Sequence, residues 1–216
     1  MAGGHPVDIR DADEGDVGFI AWVMLAASRS HLPRGIWEYI NDQDEEQTLA
    51  FLRRIAVSDE VHLFHLSLFQ IAEVDGTPAA AMCGYDSATQ GMSVAGAAVG
   101  AAAMASGVVF DESFTLRAGR LGNVVSDNAE GSWVIENVAT RPEFRRRGLT
   151  DALIKATLDR GRDKGFALGQ ISVFIGNEPA RQAYLKAGFE VKDEKRDAEF
   201  EADMGSPGFE RMLQPL

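Results

Sequence analysis

Residues Trp133 to Leu158 constrain this chain more than any other stretch, because they read as strand, basic turn and helix in unbroken succession. Trp133-Val134-Ile135-Glu136-Asn137-Val138-Ala139-Thr140 is rich in β-branched and aromatic residues and stops before Pro142, as a short strand does. Leu149, Ala152, Leu153 and Ala156 then recur at helical spacing, giving one apolar face. Between them stand Arg145, Arg146, Arg147 and Gly148. A helix N-terminus leaves four N–H groups unpaired and carries partial positive charge. Three arginines and a glycine placed there make a site for a polyanion, most simply a phosphate or pyrophosphate. Gly148 has no Cβ, so the backbone can approach such a ligand closely. The alternative is a solvated basic turn before an amphipathic helix, and the rest of the chain has to decide.

The 216 residues suit one domain, 1–216, with an insertion at about 88–130. Hydrophobic residues make up 45% and charged residues 25%, enough apolar material for a core. The net charge of −12 disfavours a general nucleic-acid binder. Cys83 is the single cysteine, so no internal disulfide forms. His62 and His65 lie three apart in an apolar run that reads as a strand, which turns them to opposite faces, so no metal site is expected. Met1-Ala2-Gly3-Gly4-His5-Pro6 has no apolar run after a basic cluster. No signal peptide is expected on that ground, and the expected location is cytoplasmic.

In chain order, Val7 to Arg10 reads as a strand, Val17 to Arg29 as a helix and Ile36 to Ile40 as a short amphipathic piece. Glu45 to Val57 is a second helix behind Asp44. His62 to Val74 reads as a strand, Asp75-Gly76 as a two-residue turn, and Pro78 to Tyr85 as the returning strand. Gly91 to Gly107 is almost all small residues, with Gly96 and Gly100 on one helical face. It is too short and too weakly apolar for a membrane span, and no membrane partner is expected. A buried helix is the favoured reading; a homodimer contact, a lid or a mobile loop are the others. Asp111 to Ser126 reads as helix or loop. Leu168 to Ile175 is a strand, Ala180 to Lys186 a helix, and Phe189 to Val191 the start of another strand. Lys192 to Pro207 reads as a charged segment and Gly208 to Leu213 as a last strand.

Three segments together resemble the GNAT superfamily of acyl-CoA-dependent acyltransferases. The first is Arg145-Arg146-Arg147-Gly148-Leu149-Thr150, similar to the family's Arg/Gln-x-x-Gly-x-Gly/Ala, with Thr150 where a glycine or alanine is usual. The second is Asn177-Glu178-Pro179-Ala180-Arg181-Gln182-Ala183-Tyr184-Leu185-Lys186-Ala187-Gly188-Phe189, and the third is the strand Ile135 to Thr140 with Arg141-Pro142. The resemblance covers residues 133 to 191 firmly and leaves Gly91 to Glu130 unexplained. It implies an α/β (α+β) fold: a mixed, mostly antiparallel twisted sheet, a central pair of parallel strands that splay apart, and helices on both faces. It also implies that acetyl-CoA lies between the strands around Val138 and Val173. Its pyrophosphate would sit on the backbone N–H groups of Arg146 to Thr150 and its pantetheine amides on the backbone of Val138 and Thr140, with Asn177 against the arm and Arg145, Ala139 and Ala180 also in the cofactor site. Arg141, Arg146, Arg147 and Arg181 become candidates for the ribose phosphate.

Acyl transfer to an amine makes two chemical demands. The amine must lose a proton before it attacks, and the departing thiolate needs an acid. Glu136 suits the base; by period two it shares a strand face with Val134, Val138 and Thr140. A glutamate that only hydrogen-bonds the backbone is the alternative. The resemblance assigns the acid to Tyr184, against a tyrosine that merely fills the core. The resulting expectation is an acetyl-CoA-dependent N-acetyltransferase without a metal, acting on a small-molecule or peptide amine and not on nucleic acid. A non-catalytic acyl-CoA-binding module is the competing reading. The acidic residues Asp42, Asp44, Glu45 and Glu46, and those from Asp193 to Asp203, could attract a cationic acceptor or simply be solvated.

Overall fold

The computed structural model describes residues 7–216. The reading of residues 1–6 lies outside them. Seven strands form one sheet: β1 (Asp8–Asp11), β2 (Phe69–Val74), β3 (Thr77–Asp86), β4 (Ser132–Thr140), β5 (Leu168–Phe174), β6 (Glu190–Arg196) and β7 (Gly208–Pro215). Their spatial order is β1-β2-β3-β4-β5-β7-β6. Neighbours are antiparallel except β4 and β5. A parallel pair needs a crossover, and the helix α7 (Leu149–Asp163) supplies it. The β2–β3 turn places Asp75 at φ 51° and Gly76 at φ 73°, the left-handed pair that matches strand twist.

The remaining helices cover the two faces. After β1 come α1 (Val17–Arg29), α2 (Ile36–Asn41) and α3 (Glu45–Ala56). Asp44 starts α3 by accepting from the Gln47 N–H at 2.9 Å, while the Gln47 side chain accepts from the Asp44 N–H at 3.2 Å. Ile20 and Met24 of α1 and Phe51 and Leu52 of α3 bury Tyr85 and Val134 on one face of the sheet. On the other face α7 and α8 (Glu178–Lys186) pack Leu153, Ile154 and Tyr184 against Ile135 and Ile171. Trp133, 1% exposed, sits between Gly84 of β3 and Gly161 of α7, and its indole N–H donates to Thr157 O at 2.9 Å. A Cβ at either glycine would stand 2.7 Å from the indole. The sheet and α7 therefore meet as closely as they do only because both residues are glycine.

Three sequence expectations change. The strand read from His62 to Val74 begins only at Phe69. Upstream, the Phe64 N–H donates to His62 Nδ1 and the Ser67 N–H donates to His65 Nδ1, each at 3.2 Å. Side chains that capture backbone groups locally compete with a strand ladder, and here they bend the chain into a loop and a 3-10 turn.

The Gly91–Gly107 stretch forms α5 (Met92–Ala105), after the single turn α4 (Ser87–Gln90), but it is not a buried helix. Only Ala95, Ala102 and Ala103 of α5 are buried, and a Cβ at Gly96 or Gly100 would meet nothing within 4 Å. One narrow stripe touches the body of the protein; the opposite side is open. Asp111 to Ser126 resolves as α6 (Glu112–Val124), started by Asp111 accepting from the Phe114 N–H at 2.8 Å.

The charged segment Lys192 to Pro207 is regular structure: the end of β6, then α9 (Ala198–Met204). Asp197 caps α9 by accepting from the Phe200 N–H at 2.8 Å, and Phe200 and Met204, four apart, enter a core cluster with Tyr39, Val124 and Phe174. Charge dominates the composition there and conceals two inward-facing residues.

Candidate active site

The parallel pair is short. β4 and β5 run in register from Ser132 and Leu168 to Ile135 and Ile171, and no further. β5 continues on its other side against β7 as far as Phe174, while β4 continues against β3 as far as Thr140. From Glu136 to Thr140, then, the β4 edge facing β5 has no strand partner. Unpaired strand backbone can accept an extended chain carrying amide groups.

A bulge sits at the point where the strands part. Ala81 pairs with Ala139 and Cys83 with Glu136, so Met82 alone faces Asn137 and Val138. Asn137 takes φ 53°, a left-handed conformation that asparagine tolerates better than most side chains. This overturns the period-two assignment of faces. Val134 and Ala139 pack on the α1 side, but Val138 packs on the α7 side. Thr140 also turns to α7, with its hydroxyl oxygen 3.2 Å from that of Thr150. One extra residue in the strand reverses the alternation.

Glu136 is on the α1 side, half-buried. Its Oε1 accepts from the Tyr85 hydroxyl at 3.0 Å, and Oε2 has no partner among the described residues. Burial raises its carboxyl from 4.5 to about 7, and the Tyr85 hydrogen bond opposes the rise. Opposite it, the buried Cys83 thiol donates to Glu136 O at 3.3 Å. Burial, reinforced by the Glu136 charge, pushes that thiol up to about 12, so it stays neutral near pH 7.

Tyr184 projects from α8 into the cluster on the α7 side, its ring edge-on to Phe189 at 6.4 Å. Burial raises its hydroxyl well above the usual range, and it makes no hydrogen bond among the described residues. Glu136 and Tyr184 thus lie on opposite faces of the sheet. Only a substrate in the gap between β4 and β5 could meet both.

Beyond β4 the chain turns through Arg145 to Gly148 into α7. Arg146 at φ 61° and Gly148 at φ 76° are both left-handed, and a Cβ at Gly148 would meet nothing within 4 Å. The first helical bond runs from the Ala152 N–H to Gly148 O at 3.1 Å, so the N–H groups of Leu149, Thr150 and Asp151 have no helical acceptor.

The arginines there are not neutralised. Arg145 Nε donates to Thr140 O at 3.3 Å, and Arg147 lies over the Phe144 ring at 5.3 Å. Arg141 lies 5.1 Å from the ring centre of Phe19 and 5.6 Å from that of Trp22, and its buried Nε has no hydrogen-bond partner among the described residues. Arg181, by contrast, is ion-paired with Glu210 at 2.7 Å and so separated from the other candidates.

Asn177 caps α8 by accepting from the Ala180 N–H at 3.3 Å, and its Nδ2 donates to Ser30 Oγ at 2.6 Å. Ser30, at the end of α1, has φ 56°. The adjacent His31 is exposed and lies so close to Gly176 that a Cβ there would be 3.0 Å from Nε2. Sequence reading passed over Ser30, His31 and Tyr85. Of these, Tyr85 alone left a trace, as a polar group inside a strand that is otherwise apolar from Ala79 to Gly84. The acidic residues proposed to draw in a cation are largely engaged internally. Asp193 pairs with Arg211, Glu199 and Asp203 with Arg120, Asp42 with Arg34 and Glu45 with Arg29.

Residues 30–189 match the model of the acetyltransferase (GNAT) family. The chain belongs to that family. For this GNAT protein, acyl transfer to an amine is the general activity that membership supports. Solved structures share its fold along nearly the whole chain. One described as an acetyltransferase aligns at TM-score 0.68 and 17% identity, over 96% of this chain and 98% of its own. An N-acetyltransferase from Staphylococcus aureus Mu50 aligns at 0.67 and 18%, over 96% and 100%. A GCN5-related N-acetyltransferase from Kribbella flavida aligns at 0.59 and 16%, over 97% and 98%. At such identities the likeness is one of fold. A search of curated protein sequences finds no significant match. Among the described residues, no helix of the GNAT protein is long and apolar enough to cross a membrane.

Proposed function

We propose that the protein is an N-acetyltransferase that moves the acetyl group of acetyl-CoA to a primary amine by direct attack in a ternary complex. The observation that carries this reading is the unpaired β4 edge from Glu136 to Thr140 leading into a helix start with unneutralised arginines. In this reading the pantetheine amides lie along Val138, Ala139 and Thr140. The pyrophosphate is bound by the backbone N–H groups of Arg146 to Thr150, with Arg145, Arg146 and Arg147 supplying positive charge. Asn177 and Ala180 border the arm from the α8 side.

Glu136 takes the proton of the acceptor ammonium, directly or through a water. With its carboxyl raised to about 7, Glu136 is a stronger base than an ordinary carboxylate, so the transfer is less uphill. The free amine attacks the thioester carbonyl carbon. A backbone N–H near Val138 or Ala139 meets the developing oxyanion. The C–S bond then breaks, the Tyr184 hydroxyl gives its proton to the thiolate, and the second proton of the attacking nitrogen leaves to solvent, from which Tyr184 is reprotonated. Residues 88–130 are read as an insertion within a single domain spanning 1–216, and the setting as cytoplasmic.

The test is calorimetric titration with acetyl-CoA, followed by CoA release against a panel of amines. Binding with amine-dependent release is the expected result. Binding with no release from any amine would support an acyl-CoA-binding module instead, and no binding would overturn the site built on Arg145 to Thr150.

A further inference from the structure

The Tyr85 hydroxyl lies deep in the sheet, 2% of the residue being exposed, and its one hydrogen bond to a carboxylate is to Glu136. A tyrosine buried among Phe69, Val134 and Phe51 has little reason to carry a hydroxyl unless that group has a partner. We propose that Tyr85 is the positioning residue of the Glu136 carboxylate: by holding Oε1 it fixes the plane of the group and leaves Oε2 directed to the acceptor. This deepens the reading of Glu136 as the base and rests on it.

The geometry suits the role. Tyr85 pairs with Val134 and Cys83 with Glu136, so Tyr85 is the diagonal neighbour of Glu136 on the same face. The bulge at Asn137 releases the chain on the other side of Glu136, and without Tyr85 the carboxylate would have no side-chain anchor. Asn128, in the turn before β4, stands near the Tyr85 hydroxyl. Asn128 Oδ1 in turn accepts from Gln170 Nε2, and the Gln170 Oε1 accepts from the Ala129 N–H at 2.7 Å. Gln170 is 1% exposed on β5. Hydrogen bonds thus tie β5 to the 127–131 turn beside Tyr85.

Few other charges bear on Glu136. From β3, Tyr85 and Cys83 face it. β5 and α4 carry no charged residue, and α7, which does, packs on the far face. The one charged residue of α1, Arg29, is paired with Glu38 and Glu45.

The test is the pH profile of kcat/KM for the wild type, Tyr85→Phe, Asn128→Ala and Glu136→Gln. A hydrogen bond to the carboxylate favours its ionised form, so its loss moves the acid limb toward higher pH. Tyr85→Phe is expected to shift that limb up by about one pH unit, the size set by a hydrogen bond to a charged group. The KM for acetyl-CoA should stay unchanged. Asn128→Ala, at an exposed turn that leaves the core intact, should shift the limb the same way by less. If both variants keep the wild-type limb while Glu136→Gln removes it, Tyr85 does not position the base, though Glu136 remains the base. If Glu136→Gln keeps the limb, the base reading fails and the role of Tyr85 with it.

Discussion

Replacing Glu136 by glutamine should make the protein more stable at pH 8, and by an amount that the structure sets. The carboxyl titrates at 4.5 in an unconstrained chain and at about 7 in the fold. Below pH 4.5 both states hold the proton and no penalty exists. Between 4.5 and 7 the unfolded chain releases its proton while the folded protein retains it, so stability falls as pH rises. Above 7 both are ionised and the penalty levels off. The full interval corresponds to about 3 kcal/mol. The side chain keeps part of its surface open, and solvent screening trims this to about 1–3 kcal/mol. Glutamine copies the neutral acid and avoids the penalty. Urea unfolding of both proteins at half-unit steps from pH 4.5 to 8.5 measures the difference. The expected curve starts near zero, climbs through pH 6 and flattens above 7, with the variant the more stable. A constant difference, or one that shrinks with rising pH, would refute the claim that Glu136 is held in an environment hostile to its charge.

Three further outcomes follow from the same geometry. Gly148→Glu should lower CoA affinity at least tenfold in calorimetry, because a carboxylate enters where the pyrophosphate is proposed to lie; unchanged affinity would move the site elsewhere. Tyr184→Phe should reduce kcat about tenfold or more with little change in acetyl-CoA affinity, and equal loss in both would remove it as the acid. Gly161→Ala should destabilise the fold by about 1–2 kcal/mol in urea unfolding. The new methyl group would stand 2.7 Å from the immobile Trp133 ring, and that overpacking outweighs the helix-propensity gain of about 1 kcal/mol.

The sequence alone determined helices α1, α3 and α7, the hairpin turn and the strand–turn–helix unit at Trp133 to Leu158. Each depends on contacts within a few residues. Asp44 caps α3 from its own chain neighbourhood, Asp75-Gly76 turns without help, and Leu149, Leu153 and Ala156 declare one face of α7 by spacing. The helix start with unpaired N–H groups behind Arg145 to Gly148 was legible for the same reason, since those groups belong to the helix that begins there. The tertiary structure decided what depends on partners far along the chain. Alternation placed Glu136 and Val138 on one face, and only the pairing of Cys83 with Glu136 and Ala81 with Ala139 exposes the extra residue that separates them. The burial that raises the Glu136 carboxyl arises only in the assembled fold, and its hydrogen bond comes from Tyr85, fifty-one residues away. Gly96 and Gly100 share a helical face that could admit a close neighbour, yet in the fold nothing stands within 4 Å of a Cβ at either. Local backbone chemistry is written residue by residue, whereas the face a side chain meets, and the charge state it adopts there, are properties of the assembled sheet.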